Sequence, residues 1–299
     1  VRAETFNAIR RTAESRETWF LTGDLGYGQV QDLESALGDR FINVGVAEQN
    51  LVSVASGLAL VGASAYVYSI GPFLTLRAAD QIRMGPVVHE LDVTLICGGA
   101  GLLYGNLGFS HYALQDVALM RSFPGMTVLA PTTARDLDRV LSLAVTTRGP
   151  KYLRLERGPT GCDLPSLEDG PSFDGADLVI AGYGDVMNGA ATAAEELREL
   201  GMAVGVVTTP IIDGSVGARL AEVLRGVPAV ISVEEHVPGG GIGAEIAMTL
   251  ASQGASTRLS ILAVDARALT EFGGRAHLQH VLEVDSAAIV AAARRLLNT

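Results

Sequence analysis

Glu48, His111 and Asp24 are the residues of this 299-residue sequence whose type and setting could do chemistry. Glu48 follows the hydrophobic stretch Phe41-Ile42-Asn43-Val44 and precedes an almost wholly apolar run over residues 51–61. The stretch reads as a short buried strand and the run as a buried helix, because the run is too long for one strand and contains no proline. Glu48 then falls in the first turn of that helix. The helix dipole there favours a carboxylate by only about 0.3–1 kcal/mol, and burial opposes ionisation much more strongly. Unless a partner shares its proton, Glu48 is expected to be protonated or poised near neutrality, as a buried proton-transfer carboxyl must be. The alternative is a glutamate that caps a turn or meets an arginine.

His111 closes the loop Gly98-Gly99-Ala100-Gly101-Leu102-Leu103-Tyr104-Gly105-Asn106-Leu107-Gly108-Phe109-Ser110-His111, which follows an expected strand at 93–99. Open α/β sheets bind ligands beyond the carboxyl ends of their strands, and imidazole changes charge near neutral pH. His111 is therefore a candidate for proton traffic, against the alternative of a structural histidine. Asp24 sits in Thr22-Gly23-Asp24-Leu25-Gly26-Tyr27-Gly28, where glycines allow a ligand close to the backbone. That spacing is not the dinucleotide fingerprint, and an ordinary strand-to-loop turn would also explain it. Glu234-Glu235-His236, followed by Gly239-Gly240-Gly241, lacks helical metal-ligand spacing and a phosphate-loop lysine, so a structural role is expected and no metal site is assigned to this chain.

The elements that must position these residues alternate regularly. An amphipathic helix over residues 2–17 would bury Phe6, Ile9 and Ala13 on one face. Strands are expected near residues 19, 41, 64–70, 93–99, 126–131 and 151–157, with helices at 48–61, 73–89 and 134–147 between them. Six strands alternating with helices predict a parallel sheet covered on both faces. Prolines and glycines from residue 158 onward break the pattern. Strands at 178–183, 204–208, 229–234 and 259–264 with helices between them then predict a second, smaller domain. The fold class is α/β, two doubly wound domains at 1–162 and 176–299 joined by a linker at 163–175.

Composition narrows the functional classes. A formal charge of −11 opposes nucleic-acid binding, which needs clustered cations. The sequence contains no run of eighteen uncharged apolar residues and no basic-then-apolar leader, so a cytoplasmic protein with no membrane partner is expected. Cys97 and Cys162 have no metal-type spacing.

Val44-Gly45-Val46-Ala47-Glu48-Gln49-Asn50 resembles the pyrimidine-binding domain of the transketolase family, and the resemblance extends over nearly the whole chain. It implies that Glu48 hydrogen-bonds the aminopyrimidine of thiamine diphosphate, and that Asp24, in Thr-Gly-Asp-Leu, lies near the thiazolium ring. Arg77-Ala78-Ala79-Asp80-Gln81-Ile82-Arg83 matches a run preceded by a stacking aromatic; the count falls on Leu74, and Phe73 beside it is the expected stacking ring after a shift of one. His111 matches a histidine facing the donor sugar. Arg2 and Arg157 match phosphate-binding arginines, whose planar fork suits an oxyanion. Leu107 stands where the family usually has an aspartate reading the donor's α-hydroxyl, and Gly99 and Gly28 stand where it often has a histidine and a serine on the sugar phosphate. These departures imply a substrate other than a standard pentose phosphate.

The family holds the diphosphate through Mg²⁺ bound by a Gly-Asp-Gly motif in a separate domain, and this sequence has no Gly-Asp-Gly. The resemblance therefore implies the smaller subunit of a split enzyme. A partner subunit would supply the diphosphate and Mg²⁺ site in an α2β2 heterotetramer, and the reaction would be transfer of a two-carbon ketol unit between sugar-type substrates. Two alternatives are the beta-type subunit of a decarboxylating 2-oxo acid acyl-transfer enzyme and a non-catalytic assembly subunit.

Overall fold

A computed structural model of the chain describes residues 1–158 and 161–298. Pro159 and Thr160, within the break that precedes the expected linker, lie outside the described residues. The chain begins with α1 (Arg2–Thr12), β1 (Thr18–Thr22), α2 (Gln31–Leu37), β2 (Phe41–Asn43), α3 (Glu48–Leu60) and β3 (Ser64–Ile70). There follow α4 (Gly71–Thr75), α5 (Ala79–Ile82), β4 (Val93–Gly98), α6 (Asp116–Arg121), β5 (Thr127–Leu129), α7 (Ala134–Thr146) and β6 (Lys151–Leu155). The second half contains β7 (Leu178–Gly182), α8 (Met187–Glu199), β8 (Val204–Thr208), β9 (Ile211–Ile212), α9 (Val216–Val223) and β10 (Ala229–Glu234). It ends with α10 (Ile242–Ser252), β11 (Arg258–Ala263), α11 (Arg275–Val281) and α12 (Ser286–Leu297).

The first sheet has the order β2-β1-β3-β4-β6-β5-β9, with β1 to β6 all parallel, and the second has the parallel order β11-β10-β7-β8. This is the α/β fold with two parallel sheets that the alternation of elements predicts. One addition was not legible: β9, a two-residue strand of the second half, pairs antiparallel with β5 and closes the edge of the first sheet. It is too short to carry a periodic signal. The segment at 163–175 is likewise more than a spacer, since Leu164 and Leu167 are buried and Ser166 forms a parallel bridge with Thr208.

Three expectations are corrected. The helix expected over residues 2–17 ends at Thr12, and the chain turns through residues 13–16 to enter β1. β2 is not buried but half-exposed, because it is the edge strand and pairs only with β1. The single helix expected over residues 73–89 is broken into α4, α5 and a π-helical turn at Arg83–Val87 that contains Pro86. Proline lacks the amide hydrogen an α-helix interior requires, and a π turn absorbs that loss. Gly85 in this turn lies so close to α3 that a Cβ would approach Ser56 Oγ to 2.3 Å, too near for a real contact.

The hydrophobic core crosses the expected domain boundary. Leu51, Val67, Leu95 and Tyr152 around the first sheet belong to one continuous cluster with Val179, Val207, Val230, Ile242 and Ile246 of the second half. The opposite face of the second sheet packs on α8 and α12, and that cluster takes in Leu102, Tyr112 and Leu114 from the loop after β4. A third cluster, with Phe6, Ile9, Leu33 and Val140, covers the other face of the first sheet. Cys97 is fully buried, and burial pushes its thiol up to about 12, so it is inert at ordinary pH.

Buried charges join the two halves. Arg154 on β6 donates to Asp116 Oδ2 at 2.9 Å and to the carbonyls of Ala113 and Glu235 at 3.1 Å. Arg275, at the start of α11, pairs with Glu156 at 2.8 Å and with Glu235 at 2.6 Å. Burial pushes the Glu156 carboxyl up. Glu235 is also pushed up by burial, but Arg275 and the bonds from Leu102 N–H and Gln279 outweigh that and hold it below the usual carboxylate range. Glu234 accepts from the Ile242 and Gly243 amides at 2.9 and 3.0 Å, and His236 Nε2 accepts from Ala118 N–H at 3.1 Å. The Glu234-Glu235-His236 segment thus holds structure together.

Removing one cation from such a cluster leaves carboxylates buried without compensation, a cost of about 3–5 kcal/mol. Arg275→Met is expected to lower the free energy of urea unfolding by about that amount. It should also speed amide hydrogen exchange at Leu102, whose N–H donates to Glu235 at 2.9 Å. A urea midpoint equal to that of the wild type would show that the cluster carries no net weight.

Candidate active site

Because β1 to β6 are parallel, their carboxyl ends lie along one edge of the sheet, and the sequence direction reverses between β1 and β3. Such a switch point opens a crevice where α/β folds bind ligands. Asp24 follows β1, Glu48 follows β2, Phe73 follows β3, the loop ending at His111 follows β4, and Arg157 follows β6. The parallel topology brings to one edge residues that are up to 133 positions apart, Asp24 and Arg157.

Glu48 opens α3 and is 1 % exposed. The expectation for its proton depended on the absence of a partner, and a partner is present: Arg77 Nη1 donates to Glu48 Oε2 at 2.6 Å. Glu48 Oε1 receives only a long contact, 3.4 Å, from Ser69 Oγ. Glu48 is therefore a buried carboxylate with a counter-ion on one oxygen and acceptor capacity on the other. α3 itself buries only the face bearing Leu51, Val52, Ala55, Ser56 and Ala59, while Gln49, Asn50, Ser53, Gly57 and Leu60 face outward. The expectation of a helix buried all round is corrected for this chain on its own.

From Glu48 a line of contacts runs outward. The Arg77 guanidinium lies 4.7 Å from the Phe73 ring centroid, and Phe73 meets the His111 ring edge-on at 5.1 Å. Such contacts fix the guanidinium and the imidazole relative to the ring. Leu74 is fully buried in the core, whereas Phe73 is half-buried. His111 is half-buried, with Nδ1 2.9 Å from Ser110 Oγ.

Asp24 is exposed, with φ +61°, and accepts from Tyr27 O–H and from Asn43 Nδ2. The hydrogen bond from Tyr27, then that from Asn43, holds its carboxyl below the usual range. Asn43 Oδ1 also accepts from the amides of Asp24 at 2.9 Å and Gly45 at 3.0 Å, tying the turn after β1 to the turn that leads into Glu48. Arg2 and Arg157 line one cavity of about 560 Å³ together with Gly28, Gln29 and Leu103. Arg2 donates to Tyr104 O–H at 2.7 Å and to Gln29 Oε1 at 3.3 Å. Leu107 is 57 % exposed, at the end of the turn Gly105–Leu107. No group of three or more His, Cys, Asp or Glu able to hold a metal ion occurs among the described residues.

Sequence reasoning missed three members of the site: Arg77 as the partner of Glu48, Asn43 as the tie between two turns, and Tyr104 as the partner of Arg2. Asn43, a polar residue ending a hydrophobic strand, carried some signal. The other two pairs are made only by folding.

Known proteins share this arrangement of domains. Residues 3–161 match the model of the transketolase pyrimidine binding domain, and residues 172–289 match that of the transketolase C-terminal domain. The chain belongs to the transketolase family. An apulose-4-phosphate transketolase subunit of Actinobacillus succinogenes is 32% identical over 231 residues, 74% of this chain and 73% of that protein. A putative transketolase C-terminal section from Methanocaldococcus jannaschii is 32% identical over 251 residues, 80% of this chain and 78% of that protein. Among solved structures, a split gene transketolase described as an inactive beta4 tetramer superposes with a TM-score of 0.82 at 28% identity, covering 99% of this chain and 98% of that one.

The transketolase family implies dependence on thiamine diphosphate. The residues present fit its aminopyrimidine: the buried Glu48 keeps acceptor capacity on Oε1, and the Phe73 ring is linked to it through Arg77.

Arg77 is 47% exposed at its side chain, so water screens its pairing with Glu48 and the pair contributes less than a wholly buried one. Arg77→Met is expected to destabilise the chain by about 1–3 kcal/mol, and Glu48→Gln in the same chain should restore part of that loss. A double-mutant cycle by chemical denaturation measures the coupling; additive effects would mean that the two side chains do not interact in solution.

Proposed function

We propose that this chain is the smaller component of a two-component, thiamine-diphosphate-dependent transketolase that moves a two-carbon ketol unit between sugar-type substrates. The observation that carries this reading is the unbroken line from buried Glu48 through Arg77 and Phe73 to His111 at the carboxyl edge of the sheet. A carboxylate, an aromatic face and an imidazole in one row suit a heteroaromatic ring with a substrate beside it.

Thiamine diphosphate, when bound, supplies a thiazolium carbon that can hold the electron pair left when a carbon–carbon bond beside a ketone is cleaved. Glu48 would hold the pyrimidine ring through a hydrogen bond at a ring nitrogen and set that nitrogen's proton. Phe73 would pack against the ring face and exclude water from it. Asp24, braced by Tyr27 and Asn43, would carry negative charge near the thiazolium side. His111 would move protons on the sugar hydroxyls, and Arg2 with Arg157 would grip a terminal anion of the donor. Leu107 offers that donor no hydrogen bond, which favours a substrate whose nearby hydroxyl differs from that of a standard pentose phosphate. The domain division at 163–175 belongs to this reading, with the cofactor contacts in the first domain.

A second protein component would hold the diphosphate and Mg²⁺, the pair assembling as an α2β2 heterotetramer. Support comes from relatives of similar length whose names describe a transketolase subunit, a C-terminal section and a beta tetramer. It also comes from the apolar surface beside the site: Val46, Leu60 and Val61 flanking or on α3 are 72%, 60% and 81% exposed, and Met84 and Val88 are 48% and 56% exposed. Exposed apolar side chains at both ends of α3 and on the turn beside it are of the kind a partner chain covers.

The isolated chain, given thiamine diphosphate and Mg²⁺, is expected to show no ketol transfer, and to gain it with a subunit carrying a Gly-Asp-Gly diphosphate domain. Turnover by the chain alone would refute the two-component reading. In the assembled enzyme Glu48→Gln should retain cofactor while exchange of the thiazolium carbon-bound proton, followed by NMR, slows by orders of magnitude. An unchanged exchange rate would return Glu48 to a purely structural role.

A further inference from the structure

The cavity lined by Arg2 and Arg157 is built around a side chain outside its lining. Arg2 is the first residue of α1, and its partners, Tyr104 O–H and Gln29 Oε1, are both neutral. Among the described residues no acidic one lines the cavity, although the chain as a whole carries a formal charge of −11. Two guanidinium groups facing one space without a carboxylate leave it short of negative charge. A planar fork of donors satisfies that need with the oxygens of a phosphate or carboxylate.

Tyr104 decides where one of those forks stands. Gly99, with φ +91°, has a backbone that an L side chain rarely adopts, and a Cβ built on it would lie 2.1 Å from the Tyr104 ring. The ring therefore occupies the space that any side chain at 99 would need, and its hydroxyl reaches Arg2 Nη2 at 2.7 Å. A phenol that accepts from a guanidinium still has its own hydrogen to donate. The loop bearing the ring is held at both sides: Leu102 N–H donates to Glu235 at 2.9 Å, and Gly273 N–H donates to Gly105 O at 3.1 Å. Tyr104 is thus a wedge with little freedom, seated on Gly99 and pressed against Arg2.

We propose that Tyr104 is a positioning residue that sets substrate specificity: seated on Gly99, it holds Arg2 in the cavity shared with Arg157, so that the cavity accepts a compact terminal oxyanion of the donor substrate. This rests on the proposed ketol transfer only for the identity of the molecule that bears the oxyanion. The site itself is a property of this chain and is tested on it directly.

In the isolated chain, the Nε–H signals of Arg2 and Arg157 are followed by NMR while inorganic phosphate or, separately, acetate is added. Both arginines should respond to at least one anion, and the stronger response tells whether phosphate or carboxylate is the preferred chemistry. Tyr104→Phe keeps the ring on Gly99 and removes only the hydroxyl. It should weaken the apparent affinity at Arg2 about tenfold, the loss expected for one hydrogen bond to a charged group. Absence of any response in the wild type, or an equal response in Tyr104→Phe, overturns the proposal. In the assembled enzyme the same variant should raise KM about tenfold for the better substrate of a set of epimeric ketose phosphates, leaving kcat and the KM for the same ketose without its phosphate near wild type. Equal rises for both donors would mark a general structural defect and also overturn it. An assembly that turns over neither donor refutes the proposed function, and the NMR arm still decides the role of Tyr104.

Discussion

The structure depends on two arginines that have been taken out of water. Arg154 is 2% exposed, and Arg275 closes over the carboxylates of Glu156 and Glu235. Desolvating such charges is expensive, and their mutual attraction offsets the cost only where every donor and acceptor is matched. Arg154 offsets most of that cost by donating to Asp116, Glu156, Ala113 and Glu235, two of them through backbone carbonyls, while Asp116 Oδ1 accepts no hydrogen bond. These contacts tie the relative placement of β6, α6, the end of β10 and α11 together. A hydrophobic interface could slide; this one has a single register.

That register places the candidate site. The loop from β4 to His111 springs from the first sheet, yet Leu102, Tyr112 and Leu114 are buried in the core of the second sheet. Tyr112 O–H donates to Glu271 O at 2.8 Å, and the Leu102 amide donates to Glu235. The second half therefore bears on the candidate site through the loop it holds. It fixes the loop, and the loop fixes Tyr104 and His111.

Glu48 illustrates the opposite economy, with one face of a helix committed inside the chain and the other exposed. Its carboxylate is enclosed by the packing of α3 on β3 and is neutralised by a guanidinium that remains half in water. The outward face of α3 carries Gln49, Asn50, Ser53, Gly57 and Leu60, while a π turn approaches the buried face at Ser56 as closely as Gly85 permits. The apolar run looked like a fully buried element because its buried and exposed faces differ little in apolar content along the sequence.

What the sequence determined by itself was local and periodic. The alternation of apolar runs with turn residues specified two parallel sheets, and the motif around Glu48, with the loop ending at His111, specified the family and the ends of the strands where a site must lie. Those signals survive because hydrophobic periodicity and glycine-rich turns act over a few residues. Tertiary structure decided which residues meet. Arg77 pairs with Glu48 across 29 positions and Arg2 with Tyr104 across 102, and no spacing rule connects either pair. Phe73 was separated from Leu74 only by which side of a short helix the core claimed. The crossing of the hydrophobic core between the two halves, and the two-residue strand β9 that caps the first sheet, likewise arise from packing, since burial and charge pairing are settled by distance in space and not along the chain.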